Sequence, residues 1–232
     1  MNDNDKPDNH ETDRGLPADI ATDDALVEPA RTLTWPLAIL FMITAAIVGG
    51  SAVYVWQQRS ASPNATDIGF ADDMSAHHNQ AVRMSIAYLT NGRDRFLRHM
   101  AEEVLVYQIG EVRDMQAALA DWDESGDDDD AMAWMGMAVD ENQQPGMATP
   151  DELEQLDTAT GDAIDELFSR LMIRHHAGGA HMAEYQVDHG NVEAMRELAQ
   201  IMLNGQASEV VELNRWRADN GYDLVTTSDL PS

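Results

Sequence analysis

Residues 74–78 read Met-Ser-Ala-His-His, and residues 172–176 read Met-Ile-Arg-His-His. Both stretches place a methionine three residues before paired histidines, and the likeness extends outward from each. At a constant offset of 98 residues, Phe70 falls on Phe168, Met84 on Met182, Gly92 on Gly190 and Arg98 on Arg196. In the same register Ala101 falls on Ala199, Gln108 on Gln206 and Glu111 on Glu209. So many identities without a gap mark an internal duplication. Each copy reads as two helices. The four are expected over about residues 67–89, 94–123, 149–188 and 191–219, with no strand signals. Asn91-Gly92, His189-Gly190 and Asn220-Gly221 are stop signals, and Asn191 is a candidate N-cap. Thr149-Pro150-Asp151-Glu152 is a capping box with proline in the first turn. A duplicated helical hairpin closes most simply into an all-α, antiparallel four-helix bundle. The bundle would span residues 67–220, with repeat one at 67–123, a connector at 124–148 and repeat two at 149–220. Residues 221–232 form a tail.

Ahead of the bundle the composition changes twice. Residues 1–34 are polar and acidic, with Pro7, Pro17 and Pro29, and carry too little apolar surface to offset chain entropy; a disordered tail is expected. Residues 35–56 run from Trp35 to Trp56 without a charge. As a helix at about 1.5 Å per residue they would span a hydrocarbon core of roughly 30 Å. Trp35, Tyr54 and Trp56 sit at the ends, where interfacial aromatics belong. Lys6, Arg14 and Arg31 precede the segment and only Arg59 closely follows it. That bias places the N-terminus in the cytoplasm and the helical domain outside, on a single-pass anchor in the cell membrane. A cleaved leader is the competing reading, but it would need an unusually long, acidic n-region. Residues 57–66 are a polar linker.

The formal net charge of -28, from 14 basic and 42 acidic residues, repels phosphate backbones and argues against nucleic-acid binding. The chain has no cysteine, which excludes disulfides and thiolate metal sites. It has 14 methionines and eight histidines, and the repeat concentrates both.

Met74, His77, His78, Ala81 and Met84 share one helix face, as do Met172, His175, His176, Gly179 and Met182. His181 stands where the first copy has Arg83. Imidazole suits several transition ions, and thioether sulfur selects soft ones, above all Cu(I); the same donors accept Ag(I), and zinc also fits the histidines alone. Di-iron bundle sites use Glu-x-x-His, and no histidine here has glutamate three residues before it. The second helix of each hairpin carries Gln-x-x-Glu, at Gln108 and Glu111 and at Gln206 and Glu209, beside an apolar seam. These side chains, with His181, are candidates to orient the imidazoles or to ligate directly. The connector adds Met132, Met135, Met137 and Met147 as weaker candidates, while its acidic run Asp127–Asp130 reads as solvated. Two plainer readings compete. The methionines are core filler, or the His, Gln and Glu side chains form a structural polar layer in a metal-free interaction module. An enzyme is the least supported option, since no nucleophile motif is present.

The pattern M-x-x-H-H-x-x-A-x-x-M, then A-x6-Q-x-x-E, a Gly-Met connector and a second His-His copy resembles the DUF305 family over about residues 68–219. The resemblance implies a ferritin-like four-helix fold and, from some members, an extracytoplasmic copper-binding role. By position it implies Met74, His77, His78, Met84, Met172, His175, His176 and Met182 as ligands. Transfer of copper would require a copper-handling partner protein. Ala133-Trp134 departs from the expected connector, where more histidine and methionine would stand.

Overall fold

The computed structural model describes residues 62–124 and 130–226. Five α-helices occupy them: α1 (Ala65–Asn91), α2 (Arg95–Asp121), α3 (Pro150–Thr158), α4 (Asp162–His189) and α5 (Glu193–Asp219). Among the described residues there is no strand, only an isolated bridge between Ala131 and Val139. None of the described helices is long and apolar enough to cross a membrane. The charge-free segment 35–56, the tail before it and residues 57–61 of the linker lie outside the described residues, while the last two linker positions, Ala65 and Thr66, already belong to α1.

Each helix start has a local cause. Asn64 and Asp67 exchange side-chain bonds with each other's backbone N–H, both at 2.9 Å, and start α1 two residues earlier than expected. Asp67 is fully buried and also accepts from Gln186 at 2.8 Å and from the Asn191 backbone N–H at 3.0 Å. One carboxylate therefore holds both the start of α1 and the α4–α5 turn. That corrects the expected cap of α5. Asn191 gives its backbone to Asp67 and its amide to the Ser62 carbonyl, and Val192 is the residue that precedes the helix.

The expected continuous helix over 149–188 is two helices. The Thr149–Glu152 capping box forms, but α3 stops at Thr158. Gly161 adopts φ 59 and ψ -143, a conformation that side chains other than hydrogen resist. Asp162 and Asp165 then supply negative charge to the first turn of α4. The short α3 buries Leu153 and Leu156, and its Glu152 forms a two-point pair with Arg174 of α4 at 2.5 and 2.9 Å.

Helices α1 and α2 form one hairpin and α4 and α5 the other. The hairpins join along α1 and α4, while α2 and α5 barely touch. Gln186 bonds Asp67, His175 stacks on His77, and Phe168 stacks on Tyr88, so α1 and α4 run antiparallel. Asp67 and Asp165 are equivalent positions of the duplication, and so are Tyr88 and Gln186. The Gln186–Asp67 bond and the 2.6 Å Tyr88–Asp165 bond are thus the same contact made twice about a pseudo-twofold axis. That axis passes through the His77–His175 crossing.

Over its described residues 130–148 the connector is packed rather than loose. The Asp73 carboxylate of α1 accepts from the Met132 N–H at 2.7 Å, the Trp134 indole at 2.6 Å and Gln144 at 3.0 Å. Gln80 exchanges two bonds with the backbone of Ala148, at 2.6 and 3.0 Å. Between these anchors Pro145 and Gly146 press onto α4. A Cβ on Gly178 would overlap the Pro145 carbonyl, and one on Gly146, which has φ +81, would overlap the Arg174 carbonyl. Gly110, by contrast, lies within α2 with nothing near it. The same substitution should therefore have opposite signs at the two places. G178A is expected to lose roughly 2 kcal/mol or more through the backbone clash and to expose the connector to protease. G110A is expected to gain up to ~1 kcal/mol from helix propensity. Urea unfolding and limited proteolysis read both.

Candidate metal centre

The duplication places all four motif histidines at the α1–α4 crossing, each with no exposed surface. The rings of His77 and His175 face each other with centroids 3.7 Å apart and planes tilted by 32°. The Nε2–H of His77 donates to the Pro145 carbonyl at 3.0 Å, and that of His175 donates to the His77 carbonyl at 3.0 Å. A carbonyl can only accept, so both protons are fixed at Nε2. The Nδ1 atoms then carry the lone pairs, and both are buried without a hydrogen-bond partner. Burial, reinforced by the neighbouring His78, pushes the His77 pKa down to about 3. Burial and then the facing His77 hold His175 well below its ordinary value. Both rings are neutral near pH 7.

His78 and His176 link this pair to the outer helices. His78 Nε2 donates to Glu111 at 2.9 Å. His176 Nε2 accepts from the Gln108 amide of the opposite hairpin at 3.1 Å, and its Nδ1 lies 3.0 Å from Glu209, close but out of line for a hydrogen bond. The two glutamate side chains are 18% and 21% exposed, so each joins a fully buried imidazole to solvent. Gln206 is buried with neither end of its amide bonded, and the space its side chain occupies is the space a Cβ on Gly179 would need.

The Met-x-x-His-His face is not a single ligand set. Met74 and Met84 lie about 15 Å apart along the helix. Met74 and Met182 enter the apolar cluster at one end of the layer, and Met84 and Met172 enter the cluster at the other. All four are fully buried. His181 is exposed, turned away from the face that carries His175 and His176, and cannot serve the layer. Of the connector methionines, Met132 is fully buried against Met74's cluster and Met135 packs beside it; Met137 is 40% exposed and Met147 is half-buried. Among the described residues, no group of three or more His, Asp or Glu side chains is arranged to hold a metal ion. Asp67, Asp73, Tyr88, Asp165 and Gln186 are not among the candidate residues that the motifs single out. The offset that matched the histidines also matches Asp67 with Asp165, which was the available signal.

The buried histidines set the acid stability. For His77 and His175 the unfolded pKa lies near 6.5 and the folded pKa far lower, about 3 for His77, so their contribution is complete above pH 6.5 and is lost progressively as pH falls below it. Each imidazole should cost up to ~1.4 kcal/mol per pH unit within that window. The melting temperature of the wild type should fall from pH 6.5 downward, and that of H77Q/H175Q should fall less steeply.

Residues 67–217 match the family model described as "Domain of unknown function (DUF305)". A crystal structure of a protein from Streptomyces coelicolor, described as a secreted DUF305 protein, is 34% identical with TM-score 0.65. That match covers 69% of this chain and 97% of the other. A DUF305 fragment from Deinococcus radiodurans is 24% identical with TM-score 0.59, covering 68% and 98%. CopM in its Cu(I)-bound form is 23% identical with TM-score 0.52, covering 69% and 100%, a likeness of fold. No curated protein matches the chain. On the family match across residues 67–217 and the 34% identical relative, the chain belongs to the DUF305 family.

Proposed function

We propose that this protein binds Cu(I) or Ag(I) at the histidine layer, for sequestration or transfer, in a helical domain held outside the cytoplasm by a membrane anchor at residues 35–56. One observation carries the reading. His77 and His175 are neutral, their rings face each other, their N–H groups are tied to backbone carbonyls, and their Nδ1 atoms are each buried without a partner. An imidazole whose second nitrogen is fixed by a carbonyl is oriented as metal-ligating histidines are. His77 and His175 would supply the nitrogen donors, while Met74 and Met172 enter opposite apolar clusters. A soft d10 ion suits that imidazole pair. CopM, which shares the fold, has been solved with Cu(I), Cu(II) and Ag bound, which supports the choice of metal.

A second reading draws on a specific observation: among the described residues no three histidine or carboxylate groups are arranged around a metal position. The layer would then be a structural polar network in a metal-free interaction module. Titration of the purified full chain with Cu(I) against a chelating competitor separates the two. Binding should weaken at least tenfold, about 1.4 kcal/mol, in H77A/H175A. Absent binding, or binding unchanged in a variant that still melts cooperatively, establishes the structural layer instead. Sidedness has its own test. Alkaline phosphatase fused at the C-terminus should be active in cells, and an inactive fusion places the domain in the cytoplasm.

A further inference from the structure

The two ends of the bundle are built from equivalent positions of the duplication, yet they are filled differently. At the end that holds Met74 and Met182, the buried positions 115, 195 and 202 are all methionine. Their equivalents at the other end are Leu213, Leu97 and Val104. Equivalent backbones thus accept leucine or valine at each of these places, so packing volume does not require the thioethers. Six of the chain's 14 methionines are buried in this one cluster, counting Met132 from the connector.

Met132 is the second observation. It has φ 64 and ψ 8, the left-handed region that unbranched side chains other than asparagine and aspartate seldom enter. The strain, on the order of 1 kcal/mol, is offset by the Asp73 carboxylate, which takes the Met132 N–H at 2.7 Å. Asp73 stands at a position where the second repeat has Leu171, so the bond belongs to this end alone. The connector is thereby held with a sixth sulfur-bearing side chain turned into the cluster, fully buried.

We infer that this methionine-rich end is a thioether site for a soft monovalent cation, Cu(I) or Ag(I), separate from the histidine layer and closed by Met132. Thioether sulfur is neutral and polarizable, so it can hold such an ion within an apolar surrounding while giving hard divalent ions little. The inference rests on reading the protein as a soft-metal binder but places this ion on sulfur, beyond the imidazoles.

The test uses the full chain and Ag(I) as the probe. With methyl-13C methionine, the εCH3 resonances of Met115, Met195 and Met202 should move on addition of Ag(I), while that of Met100, at the other end, should not. The variant M115L/M195L/M202V gives each position the residue its repeat mate already uses. It should keep its fold and lose about one silver ion per chain of binding capacity. Methyl resonances unmoved in excess Ag(I), or full capacity retained by the variant, overturn the site. H77A/H175A separates this outcome from failure of the histidine reading. If that variant loses silver while the triple variant keeps it, the thioether site falls and the layer stands; the reverse result leaves the thioether site alone.

Discussion

The structure depends on a single crossing, where His77 of α1 meets His175 of α4. Polar rings in the middle of an apolar interface are costly unless each N–H finds an acceptor. Here the acceptors are backbone carbonyls, one on α1 itself and one in the connector. That requirement reaches far along the chain. The Pro145 carbonyl can come to His77 only if the connector lies flat on α4, and it lies flat only because Gly146 and Gly178 carry no Cβ. The anchors at Asp73 and Gln80 hold the connector on α1 at either side of the same contact. The glycines, the anchoring carboxylate and the amide serve one geometry.

Duplication explains the symmetry of the core, and the departures from it are informative. Asp67–Gln186 and Tyr88–Asp165 preserve the axis with different chemistry, an amide in one copy and a phenol in the other. Around the histidines the symmetry weakens. Gln108 reaches His176 across the hairpins, whereas its equivalent Gln206 has no bonded partner and sits against Gly179. The connector is the cause of a larger break. It covers one side only, so Gln80 binds it where the equivalent Gly178 must yield to it. A duplicated scaffold has thereby acquired two different ends.

Much of this was legible in the sequence because the repeat is ungapped. The helix hairpins, the central place of the histidines and the pairing of Gln-x-x-Glu with imidazole follow from periodicity and register. Two things were hidden by the same periodicity. The break at Gly161 lies inside a helical pattern, and only a φ that glycine tolerates reveals it. The shared face of Met74 and Met84 suggested one ligand set, although ten residues of helix carry them to opposite ends of the layer. Helical phase gives the direction of a side chain but not its height. His181 fails on both counts: it stands beside Met182, about 9 Å along the helix from His175, and it is exposed.

Donor geometry bears on which ion the histidine layer can serve. Structural zinc sites close four ligands around the metal. Here His77 and His175 each keep a buried Nδ1 without a partner, and the carboxylates of Glu111 and Glu209 lie 2.9 and 3.0 Å from the outer histidines. A divalent ion would bring two positive charges into a region whose neutral rings cannot offset them, and burial would oppose it as strongly as it opposes protonation of His77. A monovalent ion would bring half that charge and would favour neutral donors such as imidazole and thioether. If the layer binds a metal as proposed, the burial that keeps the imidazoles unprotonated would favour Cu(I) or Ag(I) over zinc.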